Sequence, residues 1–407
     1  MGMTTQIPAN APVKLGRSPG TDEPKFPLPA LLALATAVFI TSLTETLPAG
    51  VLPAMSASLG VSESAMGQSV TIYAVGTFLT AIPLAAATAK WRRKRLLLTS
   101  MVVFVVANTV TALSPDYTLT LVARFVAGVA AGLAWATLSG YARRMVAVHL
   151  QGKAMAIAMA GIPVALSLGV PAGTFVGRVL GWWAAFLAMS VLAVIVIAWI
   201  MATVPDFPGQ QERRSPILRA LSVPGVSPVL FVTLVFVLAH TILYAYVATF
   251  LADLGMGGAT DLVLLVFGVA SLVSIWFVGV HVHRRLRVMM VACTLLVAVA
   301  AAALATLSDV TALVYVAAAL WGLGWGGVPT LLQTAVGDAG GDQADAAQVM
   351  LVTLWNVAMA GGGIVGGVLL DRLGPPSLPW SILLLMAPVL LVVIAARGHA
   401  FPSRRRT

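Results

Sequence analysis

Residues 182–204 read WWAAFLAMSVLAVIVIAWIMATV and carry no charged side chain. As a helix, this stretch would be about 35 Å long, because an α-helix rises 1.5 Å per residue. The hydrocarbon core of a bilayer is about 30 Å thick, so about 20 apolar residues cross it as a helix. The stretch therefore predicts a membrane-spanning helix.

The whole chain shares this apolar character. Of its 407 residues, 59% are hydrophobic and 9% are charged, against about 25% charged residues in ordinary soluble domains. A soluble core cannot cover so much apolar surface with so few polar residues, so lipid is the predicted solvent for most of the chain. This composition argues against a soluble enzyme, a disordered chain and a nucleic-acid-binding protein.

About twelve segments have the length and composition of a span. They lie at 28–53, 67–89, 96–114, 118–140, 154–177, 182–204, 228–251, 261–282, 288–308, 310–336, 346–370 and 378–397. The predicted parts of the chain are a cytoplasmic tail at 1–26, a six-helix bundle at 27–204, a cytoplasmic linker at 205–227, a second six-helix bundle at 228–397 and a basic cytoplasmic tail at 398–407.

The charges test this assignment and set the orientation. With the N-terminus inside, 21 of the 24 basic residues fall on the inner side, whereas Arg178 and Arg372 fall outside and Arg124 lies within a span. The positive-inside rule demands such a split, and one missed span would destroy it. The net charge of +10 is therefore a signature of topology rather than of nucleic-acid binding. We expect a multi-pass protein of the cell inner membrane with both termini in the cytoplasm.

The two halves repeat each other at an offset near 193 residues. Gly128 and Thr137 of the fourth span match Gly322 and Thr330 of the tenth. Repeats of six spans have the same topology and are related by an axis along the membrane normal. Two such bundles around a central cavity favour a transporter that rocks between two states, since neither a channel nor a membrane enzyme needs this duplication.

Several motifs resemble a known family. They include Arg124-Phe-Val-Ala-Gly128, Glu45-Thr-Leu-Pro48 and Gly169-Val-Pro171-Ala-Gly173. Together they are similar to the major facilitator superfamily, in its 12-span drug:proton antiporter branch and the subgroup that exports sugars, purine nucleosides and drugs. The resemblance implies an all-α membrane fold of twelve transmembrane helices, as two six-helix bundles in pseudo-twofold arrangement.

Two departures from the family pattern concern loops. The motif after the second span has Ala85, Ala89 and Arg92 where the family has Gly, Asp and Gly, and Trp183 replaces an arginine after the fifth span. The remaining basic cluster is predicted to anchor the topology and, by resemblance, to act as a loop latch. Its residues are Lys90, Arg93, Lys94 and Arg95.

The fifth span carries glycines and prolines that match the antiporter motif of the family. These residues are Gly161, Pro163, Gly169, Pro171, Gly173 and Gly177. Glycines at spacings of four and eight allow close helix packing, and prolines remove backbone hydrogen bonds and can kink a helix. Tight packing holds in any case, and the resemblance adds an interface that resists leak.

Glu45 and Arg124 are the two formally charged residues deep inside predicted spans. An ionisable group at this depth costs several kcal/mol, so it is a functional candidate by default. Both lie about 10 Å below the predicted outer surface. Burial and a neighbouring guanidinium act in opposite directions on a carboxyl group, so we expect Glu45 to bind the coupling proton and Arg124 to tune it. The alternative is a static pair that joins two helices.

His240 is the histidine that lies well inside a span. Imidazole titrates near neutral pH, so His240 is a second candidate for the proton, and a neutral packing histidine is the equally good alternative. Substrate contacts are expected from cavity helices, with lipid-facing placement as the alternative for each aromatic residue. The candidates are Trp135, Tyr244, Tyr246, Trp321, Trp325, Gln333 and Asn356.

These features predict a proton-coupled secondary transporter that exports a small organic solute, such as a drug, sugar, nucleoside or metabolite, by alternating access. No catalytic residues, metal site or cofactor are expected, since Cys293 is the single cysteine and no phosphate-binding glycine loop is present. The expected partners are the solute, protons and the lipid bilayer, without nucleic acid, and the chain is expected to be a monomer. The alternatives are a proton-coupled uptake symporter and a membrane receptor or sensor on a transporter scaffold.

Overall fold

The computed structural model describes residues 26–88, 90–209 and 221–401, and these residues form helices and connecting turns without a strand. The predicted N-terminal tail, apart from Phe26, lies outside the described residues. So do the middle of the predicted linker and the last six residues. Part of the predicted C-terminal tail is packed, because Phe401 is buried and the carbonyl group of His399 lies against Gly225.

Eight α-helices and one π-helical segment form the first half. They are α1 (Leu28–Leu59), α2 (Glu63–Ala87), α3 (Arg93–Leu113), α4 (Tyr117–Arg144), α5 (Gln151–Met159), α6 (Gly161–Val164), the π segment Ala165–Gly169, α7 (Val170–Leu180) and α8 (Trp182–Thr203). The second half comprises α9 (Val226–Tyr244), α10 (Val247–Asp253), α11 (Thr260–Thr306), α12 (Thr311–Gly326), α13 (Val328–Gly340), α14 (Ala344–Leu373) and α15 (Ser377–Ala395).

Within the described residues, ten stretches are long and apolar enough to cross a membrane. One of them, Thr311–Leu373, contains two spans, because the chain turns back at Gly341–Gln343. Helix α2, which packs along α4 and α14, is one more span, so the total is twelve. The prediction of an all-α membrane fold with twelve transmembrane helices is confirmed.

Several spans are interrupted where the sequence predicts continuous helices. The fifth contains the π segment before Pro171, the seventh breaks between α9 and α10, and the tenth breaks at Gly327. The eighth and ninth predicted spans are joined in α11, whose only non-helical backbone angles occur at Arg285. Proline and glycine account for the first and third breaks, because proline lacks an N–H group and glycine weakens a helix.

The internal repeat appears as the same contact in both halves. The Thr77 hydroxyl donates to the Gly128 carbonyl oxygen at 3.1 Å, and the Ser271 hydroxyl donates to the Gly322 carbonyl oxygen at 3.2 Å. Each glycine lies against the backbone of a neighbouring helix, so a side chain would not fit there. Thr77 and Ser271 are 194 residues apart in the sequence, and so are Gly128 and Gly322. The close approach of α2 to α4 is therefore reproduced by α11 and α12.

The hydrophobic core shows where the halves meet. Residues Ala30–Ile40 of α1 belong to a core cluster built from the first half. Residues Leu43–Met55 of the same helix belong to a larger cluster that includes α9, α10 and α11 of the second half. The two bundles are therefore joined along the second part of α1, which begins just before Glu45.

Candidate functional site

Arg124 is tied to backbone groups of two other helices. Pro48 has no N–H group, so the carbonyl group of Thr44, four residues earlier in α1, lacks its helical donor. The Arg124 Nη1 donates to this Thr44 oxygen at 2.7 Å, and its Nε donates to the Ser69 carbonyl oxygen at 3.4 Å. The fully buried guanidinium also lies 4.8 Å from the centre of the Tyr73 ring. Arg124 thus links α1, α2 and α4.

Glu45 lies next to this contact but does not form an ion pair with Arg124. The two ion pairs found among the described residues lie elsewhere. The Glu45 side chain is partly exposed, and it interacts electrostatically with Arg124 and with Tyr244 of the other bundle. The guanidinium donates to two carbonyl oxygens rather than to this carboxyl group.

A buried polar network that the sequence analysis missed surrounds Thr44. The Asn108 Nδ2 donates to the Thr44 Oγ1 at 3.1 Å, and both side chains are fully buried. The Arg124 Nη2, the Asn108 Oδ1 and the Ser69 Oγ are buried and have no hydrogen-bond partner in the part of the chain that the structure describes. Asn108 could have been found as an isolated amide within an apolar span, because such a group needs a partner. Ser69 and Tyr73 gave no comparable signal.

His240 lies at the centre of a buried aromatic cluster in the second bundle. Its ring stacks on Trp325 with 3.5 Å between centroids, and its Nδ1 is 3.1 Å from the Trp321 Nε1. Tyr244 and Phe267 complete the cluster. Tryptophan can only donate, so the His240 Nδ1 accepts and the imidazole is neutral in this arrangement. Of the two proposed roles for His240, this geometry matches that of a neutral packing residue.

One repeated position has different neighbours in the two halves. Tyr73 of α2 and Phe267 of α11 are 194 residues apart and lie against the equivalent glycines Gly128 and Gly322. Tyr73 faces a guanidinium, whereas Phe267 faces indole and imidazole rings, with its centroid 4.7 Å from that of Trp321. The first bundle therefore supplies the charged wall of the site and the second supplies the aromatic wall.

Tyr246 connects the bundles at a different place. Its hydroxyl donates to the Gly363 carbonyl oxygen at 2.8 Å and lies 3.4 Å from the Gln68 Nε2 of α2. The ring is fully buried, and side chains added at neighbouring glycines would collide with it. These glycines are Gly67, Gly366 and Gly367. Tyr244 therefore reaches the aromatic wall, whereas Tyr246 fills the interface between α2 and α14.

The glycines of the antiporter motif face α1, the helix that carries Glu45. Side chains added at these positions would meet α1 residues at spacings of four and eight, and the contacts are Gly161 with Ala35, Gly169 with Phe39, Gly173 with Leu47 and Gly177 with Val51. In the second half, Gly362 and Gly366 lie in the same way against Leu238 and Ile242 of α9. The glycines thus allow close packing within each bundle, as their spacing predicts.

The opposite face of the fifth span packs against the second bundle. Pro171 leaves the Ser167 carbonyl oxygen without its helical donor, and Gly268 of α11 lies directly against Ser167. Beyond it, the Arg178 Nη2 and the Asp261 Oδ2 form an exposed ion pair at 2.9 Å. This ion pair lies on the side of Glu45 that the charge pattern places outside.

The space between the bundles opens toward the predicted inner end. Helix α14 is buried at Ala358 and Gly362, but no residue from Val352 to Val357 is buried. Leu354 and Trp355 of this stretch pack against the core, whereas Val352 is 51% exposed. In α2, Leu79 is 51% exposed at the corresponding depth. Glu45 is partly exposed as well.

The remaining candidate residues lie near that opening. Trp135 is half-buried against the core of the first bundle, and Gln333 is exposed, with its carbonyl oxygen accepting from the Gln348 Nε2 at 2.8 Å. The Asn356 Nδ2 donates to the Val352 carbonyl oxygen of its own helix at 3.0 Å. The structure brings none of these three into contact with the aromatic cluster around His240.

The basic cluster of the predicted loop latch is attached within its own bundle. Arg92 forms an ion pair with Asp206, which follows α8, and the backbone N–H group of Lys94 donates to the same carboxylate at 3.2 Å. The Arg93 N–H group donates to the Phe207 carbonyl oxygen at 2.9 Å. The segment after α8 thus caps the first turn of α3, whose leading N–H groups have no partner inside the helix.

Comparisons with known proteins agree with this architecture. The model of the Major Facilitator Superfamily matches residues 34–360. The chain is 28% identical over 393 residues to the purine ribonucleoside efflux pump NepI of Salmonella paratyphi B, which covers 95% of this chain and 97% of the relative. It is also 28% identical over 378 residues to the transcription regulatory protein OpdE of Pseudomonas aeruginosa, covering 91% and 94%.

Proposed function

The chain belongs to the major facilitator superfamily and is a multi-pass membrane transporter rather than an enzyme, and we propose that it exports a small organic solute in exchange for protons. In this proposal it works as a monomer in the inner membrane, with both termini in the cytoplasm. Its two bundles alternate between an inner and an outer opening around the region between Glu45 and the aromatic wall.

The position of Glu45 is the observation that carries the proposal. It is an acidic residue of the first bundle that interacts with Tyr244 of the second, it is partly exposed, and no ion pair engages it among the described residues. A carboxyl group there changes the charge of the interface when it gains or loses a proton. Protonation can therefore be coupled to the rocking of the bundles, whereas a charge already paired with Arg124 could not respond in this way.

The proposed cycle follows from this placement. The solute enters through the predicted inner opening and contacts the aromatic wall at Tyr244 and Trp325. The bundles then separate at the outer contacts of Tyr246 and Arg178, and the solute leaves. A proton from outside binds Glu45 and neutralises it, which lowers the cost of burying that side chain while the outer contacts close again. Release of the proton inside completes the cycle.

The chemistry of the site favours a planar solute, and we propose a purine ribonucleoside. Aromatic rings stack on flat faces, and the indole, imidazole and phenol rings at Trp325, His240 and Tyr244 lie together near the bundle junction. The similarity to purine ribonucleoside efflux pumps over 95% of the chain supports the same class.

Transport by purified protein in proteoliposomes tests the proposal. An imposed pH gradient should drive labelled inosine out of the compartment that corresponds to the cytoplasm. Glu45→Gln should abolish this pH-driven transport but preserve exchange of labelled for unlabelled inosine at equal pH. Asp345→Asn, which changes an exposed carboxylate of α14, is the matched control and should transport normally. Full pH-driven transport by Glu45→Gln would contradict proton coupling, and accumulation in the opposite direction would support the uptake symporter.

A sensor is the second candidate, because the chain is similar to a protein named as a transcription regulator over 91% of its length. A sensor would bind the solute and change gene expression without moving it. Deletion of the gene would then alter transcript levels in the presence of inosine, and Glu45→Gln would not reproduce the deletion. If export of inosine is lost in the deletion strain and transcripts do not change, the transporter assignment holds.

A further inference from the structure

We infer that a groove along α3, beside the segment that follows α8, is a binding site for one anionic phospholipid. The groove has a volume of about 450 Å³ and lies on the surface of the first bundle, at its predicted inner end. One end is formed by Lys94, Arg95 and Asp206. The other end is apolar and continues along α3 past Leu98 and Val102.

The two ends of the groove have the separation and chemistry of a lipid. Arg95 and Val102 are seven residues apart in α3, which corresponds to about 10 Å along the helix axis. Val102 is 49% exposed and Val106, one turn further, is 54% exposed. This apolar stripe is solvated by acyl chains once the helix spans a bilayer. A phosphate group at the charged end and one acyl chain along the stripe would fill the groove.

The charged end has a surplus of positive charge. Asp206 contributes a negative charge, but that charge is engaged by Arg92 and by the Lys94 backbone N–H group. Burial alone would raise the pKa of Asp206, but the hydrogen bonds from Arg92 and from the Lys94 backbone, together with the positive charges of Arg92 and Lys94, hold the pKa below its usual value. A single carboxylate thus faces three cations, those of Arg92, Lys94 and Arg95, which leaves the charged end of the groove net positive.

The two cations are placed to share a phosphate group. The Lys94 Nζ donates to the Met201 carbonyl oxygen at 2.9 Å, which leaves two of its three N–H groups for another acceptor. The Arg95 guanidinium stacks on the Trp91 ring at 5.3 Å and forms no ion pair among the described residues. Trp91 is 43% exposed, as is typical of an aromatic side chain at the level of lipid headgroups.

The charge balance selects the class of lipid. Each basic residue at an anionic membrane surface contributes about 1 kcal/mol, or about fivefold in affinity. A zwitterionic headgroup carries a cation that Lys94 and Arg95 repel, so an anionic headgroup such as that of phosphatidylglycerol is favoured. This assignment does not depend on the solute that the protein transports.

Native mass spectrometry of the full-length protein in detergent tests the inference. One phosphatidylglycerol should bind at least fivefold more tightly than phosphatidylcholine, and inorganic phosphate should not displace it. Arg95→Gln should weaken phosphatidylglycerol binding about fivefold and leave phosphatidylcholine binding unchanged. Val102→Ser should weaken the binding of both lipids, because it shortens the apolar wall.

Arg284→Gln is the matched control, since Arg284 is an exposed basic residue in the part of α11 that joins the eighth and ninth spans. It should bind both lipids as the unmodified protein does. Equal affinity for the two lipids, or unchanged phosphatidylglycerol binding by a folded Arg95→Gln protein, would overturn the inference. Displacement by inorganic phosphate would identify a site for free anions and would also overturn it.

Discussion

The guanidinium of Arg124 donates a hydrogen bond of 2.7 Å to the carbonyl oxygen of Thr44, the group that Pro48 leaves without its helical donor. The Arg124 guanidinium thus gains an acceptor, and the Thr44 carbonyl oxygen gains a donor, inside an apolar bundle. The cost of burying each group is lowered by the other. This contact explains how a proline and an arginine are both tolerated beside Glu45.

The same contact predicts energetic coupling between Arg124 and Pro48. Arg124→Met should destabilise the protein by about 1–3 kcal/mol, because it leaves the Thr44 carbonyl group without a donor. Pro48→Ala restores a helical N–H group for the Thr44 carbonyl. In that background, Arg124→Met should cost about 1–2 kcal/mol less. Thermal unfolding in detergent of the four proteins of the cycle measures the coupling.

Pro53→Ala provides the control for this cycle. It restores an N–H group in the same helix α1, but for the Ala49 carbonyl, to which Arg124 does not donate. It should therefore leave the cost of Arg124→Met unchanged. If Pro48→Ala and Pro53→Ala change that cost equally, the proline acts through the general shape of α1 rather than through the Thr44 carbonyl.

Tyr246→Phe should shift the protein away from the state closed at the predicted outer end. The variant keeps the ring among the glycines but removes the hydroxyl that accepts a hydrogen bond from the Gln68 Nε2 of α2. A neutral hydrogen bond contributes about 0.5–1.5 kcal/mol, so the closed state should lose about twofold to twelvefold in population relative to the open one. Distances between spin labels on the outer ends of α2 and α14 report this shift. An unchanged distance distribution would show that ring packing alone holds the interface.

Gly67→Ala should prevent closure of the same interface. Its added methyl group would overlap the Tyr246 ring, which is enclosed on all sides and cannot move aside without separating α2 from α14. Overpacking at such a site typically costs about 1–3 kcal/mol. The same spin labels should show a longer mean distance, and transport should slow.

Gly140→Ala is the matched glycine control. A side chain at this helical position of α4 meets nothing within 4 Å. The substitution should be neutral or stabilise the protein by about 0.5–1 kcal/mol, because alanine favours the helix. If both alanine variants impair transport equally, loss of glycine flexibility rather than the collision with Tyr246 is the cause.

The contact of Asp206 with Arg92 predicts a pH dependence of stability outside the spans. Because the folded state holds the pKa of Asp206 below its usual value of 3.8, its contribution is present above that pH and is lost as the pH falls through the lowered pKa. Asp206→Asn should lower the melting temperature at neutral pH and have no effect at strongly acidic pH. In an Arg92→Gln background the difference at neutral pH should shrink. A difference that grows toward acidic pH would contradict this assignment.

The sequence by itself determined the class, the number of spans and the repeat. These properties depend on local composition and on the transfer of apolar helices into lipid, which each segment carries in its own residues. The glycine spacing of the fifth span likewise predicts close packing, and the structure places those glycines against α1.

Only the tertiary structure decided which groups meet. Arg124 bonds to carbonyl groups instead of pairing with Glu45, Tyr246 fills the bundle interface instead of joining the aromatic wall, and Asn108 enters the network around Thr44. The physical reason is that a hydrogen bond depends on distances of a few tenths of an ångström between atoms far apart in the chain. Hydrophobic periodicity locates a helix and its buried face, but it does not specify which neighbour that face will contact.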